Sequence, residues 1–197
     1  QEVCRAHGTL LIFDEIPTGL GKTGRFFAAE HDGAKPDIVV LGKALGGGIL
    51  PIAACVARED LNVAGPWAYG HYTHEKNPVT AAAALATLEV IEREGLVEQA
   101  ARVGAHALER LHALKDRHRL IGDVRGRGLL LGLELVTDRA RKTPAGDAAE
   151  AVLYRALSRG LSFKTTMGNT LTLTPPLITT REQMDQLAPL QAELGKY

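Results

Sequence analysis

The chain has 197 residues, with 23 Lys plus Arg against 23 Asp plus Glu, so its formal net charge is zero. Binding to nucleic acid or to an anionic membrane surface draws on a basic excess, and that balance argues against both as partners. The two cysteines, Cys4 and Cys55, form no disulfide framework; both sit in or beside apolar segments and read as reduced core thiols of a cytoplasmic protein.

No apolar run approaches membrane-spanning length and no signal-peptide pattern opens the chain. Its first residues, Gln1 to His7, instead read as part of a helix closed by Gly8, which suggests a piece of a longer protein. Thr9 to Phe13 is a short continuous apolar run, as expected for a strand buried on both faces of a parallel sheet, with Asp14 at its tip. Thr18 to Gly24 holds three glycines in seven residues and reads as a loop. A short helix is expected over Arg25 to Asp32, ending at Gly33. A second strand covers Ile38 to Leu41 and leads into Gly42-Lys43 and the glycines Gly46 to Gly48. Pro51 to Ala57 reads as a third strand, Arg58 to Leu61 as a turn, and 64–67 as irregular.

Asn77-Pro78 opens a helix, with Asn as the cap and Pro at the first helical position; it runs to about Glu94 and stops at Gly95. The next helix covers Leu96 to about Arg117, its apolar positions Leu96, Ala100, Val103, Ala107, Leu111 and Leu114 recurring every three to four residues. Short strands follow at Val124 and at Leu129 to Val136, then a helix from Ala148 to about Ser158. Leu161 to Phe163 and Asn169 to Thr174 read as strands around a turn at Gly168, and a last helix spans Thr180 to Leu194. A domain boundary near residue 95 leaves 1–95 as part of a large α/β domain and 96–197 as a smaller α+β domain.

In open α/β sheets, ligands sit at the carboxyl ends of the strands, which puts Asp14 and Lys43 on one edge. Alone, Asp14 is a strand-end cap and Lys43 a surface lysine. Together, an acid and an amine aimed at one crevice suit pyridoxal phosphate, held by a lysine Schiff base and an acidic partner for its ring nitrogen. The amine must be neutral to react, and once freed it can move protons at the substrate carbon.

Asp14-Glu15-Ile16-Pro17-Thr18-Gly19, Gly21-Lys22-Thr23-Gly24, Pro36-Asp37-Ile38 and Gly42 to Gly48 occur in that order. They resemble the class III (omega-type) aminotransferases of fold-type I, and the resemblance spans the chain but only the C-terminal half of a family member. It implies that Lys43 is the Schiff-base and proton-transfer residue, that Asp14 pairs with the pyridinium nitrogen, and that Ile16 packs on the ring face. Pro17 departs from the family, which has Gln there contacting the ring hydroxyl; proline offers no such donor.

Tyr72 to Pro78 is similar to the family's Ser-Thr-Phe-x-Gly-Asn-Pro, which makes Thr73 a cofactor-phosphate residue acting from the neighbouring subunit, and so implies a homodimer or higher homo-oligomer. His74, Glu75 and Lys76 replace Phe-x-Gly, with His74 a candidate substrate contact. Asn169 to Leu177 resembles Asn-x-Leu-Arg-Leu-x-Pro-Pro-Leu, with Thr172 where the family has an arginine for a substrate carboxylate. The substrate then lacks that carboxylate or is held another way, with Lys164 and Lys76 as candidate cations that the motif does not place.

Three other patterns lead nowhere. Gly21-Lys22-Thr23 is no P-loop, because Ile16 stands where its first glycine belongs. Gly126-Arg127-Gly128 is no dinucleotide fingerprint, because Leu131 occupies the third-glycine position. His71 and His74 have no third metal ligand.

The expected activity is transfer of an amino group between an amine or amino acid and a 2-oxo acid. An ammonia-lyase, phospho-lyase or racemase of the same family is the alternative, and a non-catalytic relative a more distant one.

Overall fold

A computed structural model describes all residues except 65, 66, 68–71, 187–189, 191, 192, 196 and 197. Two compact units follow one another, Gln1–Val97 and Glu98–Tyr197.

The first unit opens on helix α1 (Glu2–Ala6), closed by Gly8 at φ 61°. Strand β1 (Ile12–Asp14) runs parallel to β2 (Ile38–Leu41), with Ile12 opposite Ile38 and Asp14 opposite Val40. β1 is shorter than the apolar run Thr9 to Phe13, because the earlier backbone groups are engaged elsewhere. The Thr9 N–H donates to the Cys4 carbonyl at 2.9 Å, finishing α1. The Leu11 N–H donates to the Asp37 carboxylate at 2.8 Å, and its carbonyl accepts from the Asp37 N–H at 2.8 Å.

Between these strands the expected helix Arg25 to Asp32 is a 3-10 turn, Ala28–Asp32, after an extended Phe27; Gly33, at φ 62°, ends it. Strand β3 (Ala54–Ala57) lies antiparallel to β2 and completes a mixed sheet in the order β1-β2-β3. It starts later than Pro51, since beyond Leu41 its partner turns into the 3-10 turn Lys43–Gly46 and offers no further ladder. In this chain taken by itself, Ile12 is 54% and Val56 56% exposed. Within these residues Cys55 on β3 is exposed and Cys4 half-buried.

Helix α2 (Pro78–Arg93) starts as its sequence indicates, the Asn77 side chain accepting the Val79 N–H at 2.9 Å. It packs on the glycine turn after Lys43 so closely that a Cβ on Gly47 would lie 3.1 Å from the Thr87 hydroxyl.

The second unit begins within helix α3 (Leu96–Arg117). All six positions of its apolar stripe, from Leu96 to Leu114, are buried. The Arg139 guanidinium donates to the carbonyls of Lys115 and His118 at 2.6 and 2.8 Å, satisfying acceptors that the end of a helix leaves open. Strands β4 (Ile121–Arg127), β5 (Leu130–Asp138) and the short β6 (Thr143–Pro144), helix α4 (Gly146–Leu157), strands β7 (Lys164–Thr166) and β8 (Thr170–Leu173), and helix α5 (Arg181–Asp185) follow. The sheet is antiparallel in the order β4-β5-β8-β7, with β6 paired to β5.

Strand alternation gives this sheet two faces. Val124, Leu131, Leu133, Leu135, Leu171 and Leu173 form the core with α3, Val152 of α4, Leu190 and Leu194. Asp123, Arg125, Gly132, Glu134, Lys164 and Thr172 take the alternate positions.

The strand expected at Leu161 to Phe163 lies instead at Lys164–Thr166. Pairing closes directly onto a turn at 167–169, where Met167 and Gly168 have φ 54° and 80°, while Leu161 and Phe163 pack against the core. In the expected last helix, Thr180 forms a reciprocal cap with Gln183. Much of the span beyond Gln186 lies outside the described residues, but Glu193 is fully buried and held by Arg159 of the α4 end at 2.9 Å.

Candidate functional site

The edge that carries Asp14 and Lys43 is organised by two acids. Glu15 is 2% exposed. Its carboxyl oxygens accept from the Ala29 N–H at 2.9 Å and from the Thr18 hydroxyl, and its main-chain carbonyl accepts from the Gly19 N–H at 2.8 Å. It therefore ties the loop after β1 to the 3-10 turn at Ala28–Asp32. Asp37 does the same at the other end of the strands: one carboxyl oxygen takes the Leu11 N–H and the other the Arg58 guanidinium. These clamps give structural meaning to the Glu of Asp-Glu-Ile and the Asp of Pro-Asp-Ile. Sequence reasoning passed over both residues; the one available signal was an acid beside an apolar strand with hydroxyl and amide partners nearby.

Held in this frame, Asp14 ends β1 with its Oδ1 accepting the Ile16 N–H at 3.0 Å. That bond orients the carboxyl group and leaves Oδ2 available at the exposed strand tip. The Glu15 N–H continues the ladder to the Val40 carbonyl at 2.9 Å, so the loop leaves β1 in register with β2. Three residues past Val40, Lys43 starts its 3-10 turn at φ 46°. A non-glycine residue there is strained, by about 1 kcal/mol or more, and such strain gathers at functional sites. Ile16 lies over Gly42, where a Cβ would make ordinary contact with both its Cγ atoms at 3.6 Å. The fold thus brings Asp14, Ile16 and Lys43 to one sheet edge.

Pro17 is exposed in the loop that Glu15 clamps. Thr73 and His74 are exposed in the turn before α2, where the Asn77 N–H donates to the His74 carbonyl at 3.2 Å. His71 lies outside the described residues, and among the described residues no cluster of His, Cys, Asp or Glu could hold a metal ion. Thr172 is half-buried on β8 in the second unit, its hydroxyl 2.6 Å from that of Thr166.

Lys22, in the loop between Gly21 and Thr23, has an ammonium whose pKa burial lowers to about 8. A cleft of about 290 Å³ opens beside β1, walled by Ile12, Asp14, Glu15, Thr18, Ala29 and Asp32 among others. Asp14 lines this hollow and Lys43 does not, so it meets the Asp14–Lys43 edge at the acid alone.

The profile of the family described as Aminotransferase class-III matches residues 1–190. The chain belongs to the class III aminotransferases. It is 48% identical over 185 residues to (R)-1-hydroxy-2-aminoethylphosphonate ammonia-lyase of Vibrio splendidus, covering 94% of this chain and 39% of that protein. It is 46% identical over 187 residues to leucine/methionine racemase of Thermococcus litoralis, covering 94% and 42%. A crystal structure of a Bacillus anthracis aminotransferase superposes on 100% of this chain and 47% of its own length, with a TM-score of 0.95 and 35% identity. The fold is therefore the α/β fold-type I architecture, and the chain spans less than half the length of each of these relatives. Among the described residues, no helix is long and apolar enough to cross a membrane.

Proposed function

We propose that this chain carries the cofactor-binding edge of a pyridoxal-phosphate-dependent aminotransferase, one that moves an amino group between an amine or amino acid and a 2-oxo acid. The observation that carries the reading is the convergence of Asp14, Ile16 and Lys43 at one sheet edge.

The donor set fits the cofactor. Asp14 is oriented by the Ile16 N–H with one oxygen left over, suited to a protonated ring nitrogen. Ile16 offers an apolar surface beside Gly42. Lys43 is an exposed primary amine held in a strained backbone. When bound, the cofactor supplies an electron sink for the pair left as a bond at the amine-bearing carbon breaks.

The chain's own residues do the rest. The Lys43 Nζ holds the cofactor and, once displaced by substrate, takes a proton from that carbon or returns one. The Asp14 Oδ2 accepts from the ring N–H and keeps the ring protonated. Ile16 keeps water from one ring face. Thr73, a hydroxyl before the start of α2, suits a phosphate and acts from the neighbouring subunit, so the active form is a homodimer or a higher homo-oligomer working in the cytoplasm. His74 contacts substrate from the same turn.

A second reading, elimination of ammonia or racemisation on the same machinery, is favoured by two observations. Pro17 removes a side-chain donor near the ring, and two relatives above 45% identity carry lyase and racemase names. The test incubates the protein and the cofactor with candidate amines, including a 2-aminoalkylphosphonate, with and without pyruvate. Transamination yields a new amine only with the oxo acid. Ammonia released without it assigns a lyase, and inversion of a chiral donor assigns a racemase. Turnover of none of the panel overturns the reading.

A further inference from the structure

In a chain of zero net charge, one end of the second unit gathers cations. Helix α3 closes on Lys115 and Arg117 and runs into His118 and Arg119. The hairpin from β5 to β6 carries Arg139, Arg141 and Lys142. Arg139 joins the two segments, its guanidinium donating to the Lys115 and His118 carbonyls. The hairpin is also held from within. The Asp138 Oδ1 accepts the Ala140 and Arg141 N–H groups at 2.8 and 3.0 Å, and Lys142 takes φ 54°, a left-handed conformation uncommon for a long side chain.

Cations beside a helix C-terminus also serve the helix, by meeting its dipole. Arg139 does so through its two bonds, and Lys115 is paired with Asp123 at 3.6 Å. The others are not used up in this way. Arg117, Arg119 and Lys142 are exposed in this chain and have no carboxylate partner among the described residues. The Arg141 side chain is 85% exposed and meets only Asp138, at 3.9 Å. Besides Asp138, the two segments hold one acid, the exposed Asp116.

Four cations on a backbone fixed in advance suit an anionic partner, and the surroundings narrow its kind. Neither segment has a Phe, Tyr or Trp for bases to stack on, nor an exposed large apolar side chain to enter a bilayer. A long polyanion also reaches past the patch to acids elsewhere on a chain without net charge. A short run of carboxylates meets the patch alone, and arginine forks grip carboxylates in two prongs. These 197 residues contain no run of more than two adjacent acids, so a second copy of them does not supply it.

We propose that the end of α3 and the β5–β6 hairpin form a docking surface for an acidic segment of another protein, contacted through Arg117, Arg119, Arg141 and Lys142. The surface lies wholly within the second unit and is independent of the pyridoxal-phosphate reading.

The test follows the fluorescence anisotropy of a labelled peptide of alternating Asp and Glu as the protein is titrated in. Saturable binding is expected at about 0.1 M ionic strength, where the Debye length is about 10 Å, and its loss at about 1 M, where that length is about 3 Å. An exposed ion pair changes an equilibrium by about 1.5- to fivefold. The combined variant Arg119→Gln, Arg141→Gln, Lys142→Gln is therefore expected to bind about tenfold more weakly or worse. A second combination, Arg5→Gln, Lys35→Gln, Arg102→Gln, removes as much charge from other exposed positions and should bind as the unmodified protein does. No saturable binding at the lower salt, or equal losses in the two combinations, overturns the proposal. A single-stranded oligonucleotide and phosphatidylserine vesicles are titrated alongside. Tighter binding of either one than of the peptide, lost in the first combination, overturns the assignment to an acidic protein segment.

Discussion

Substituting Gly104 by alanine sets two known effects against each other. Gly104 lies inside α3, where alanine is favoured over glycine by about 1 kcal/mol. A Cβ there would stand 2.1 Å from the Gly128 carbonyl oxygen, 2.3 Å from its carbon and 2.5 Å from its Cα. All three are backbone atoms of the turn between β4 and β5, and Gly128 itself has φ 53°. Carbon contacts need about 3.5 Å, so the helix and the turn must separate by about 1 Å. Overpacking of this kind costs typically 1–3 kcal/mol, and rigid backbone on both sides puts this site near the upper end. The net expectation is a loss of about 2 kcal/mol, which lowers the melting temperature of a unit this size by roughly 10 °C. Thermal unfolding followed by circular dichroism measures it. Gly146→Ala is the control, because its Cβ would meet only the Gly168 carbonyl at 3.7 Å, and it should be neutral or slightly stabilising. A Gly104→Ala protein as stable as that control refutes the contact argument.

Three further outcomes are expected. Mixing Lys43→Ala subunits with Thr73→Ala subunits should restore part of the activity that each lacks, because one site of a mixed dimer is intact; no recovery in verified mixed dimers counts against Thr73 acting across subunits. The Asp185 carboxylate is held below the ordinary carboxylate range by its hydrogen bond to His106; the folded state then binds fewer protons there, so this stability is fully present above about pH 4 and is lost as pH falls through the depressed value, and Asp185→Asn should flatten the acid limb of the stability curve. Burial lowers the Lys22 pKa to about 8, so between there and the ordinary lysine range the unfolded chain binds more protons and stability climbs with pH; Lys22→Met should remove that climb in matched denaturation curves, and an unchanged slope contradicts it.

Much of this was legible in the residues because local rules and tertiary demands agreed. The stripe from Leu96 to Leu114 needs one apolar face at helical spacing, and α3 buries those same side chains. Asn77-Pro78 is both a cap and a first turn, and the chain uses it so. Asp14 and Lys43 share an edge because two apolar runs of similar length pair in parallel.

Strand ends were less legible. Thr9 and Leu11 have strand-like side chains, yet α1 and Asp37 hold their backbone groups, and periodicity does not report such competition. Glu15 and Asp37 were passed over because a carboxyl that clamps backbone looks, in sequence, like any exposed acid. Lys164 was one of two candidate cations with nothing in the sequence to place it; only the β7–β8 register sets it opposite Thr172. Exposure of Ile12, Cys55 and Val56 was not foreseen either, since an apolar run carries no record of what covers it.

The central claim is that Lys43 carries the cofactor, and mapping the attachment site tests it most directly. The protein is loaded with pyridoxal phosphate, reduced with borohydride, digested and sequenced by mass spectrometry. The account predicts one pyridoxyl-bearing peptide, with the modification on Lys43, and its disappearance in Lys43→Ala. A stable adduct on another lysine, of which Lys22 with its lowered pKa is the strongest competitor, and none on Lys43, would contradict it.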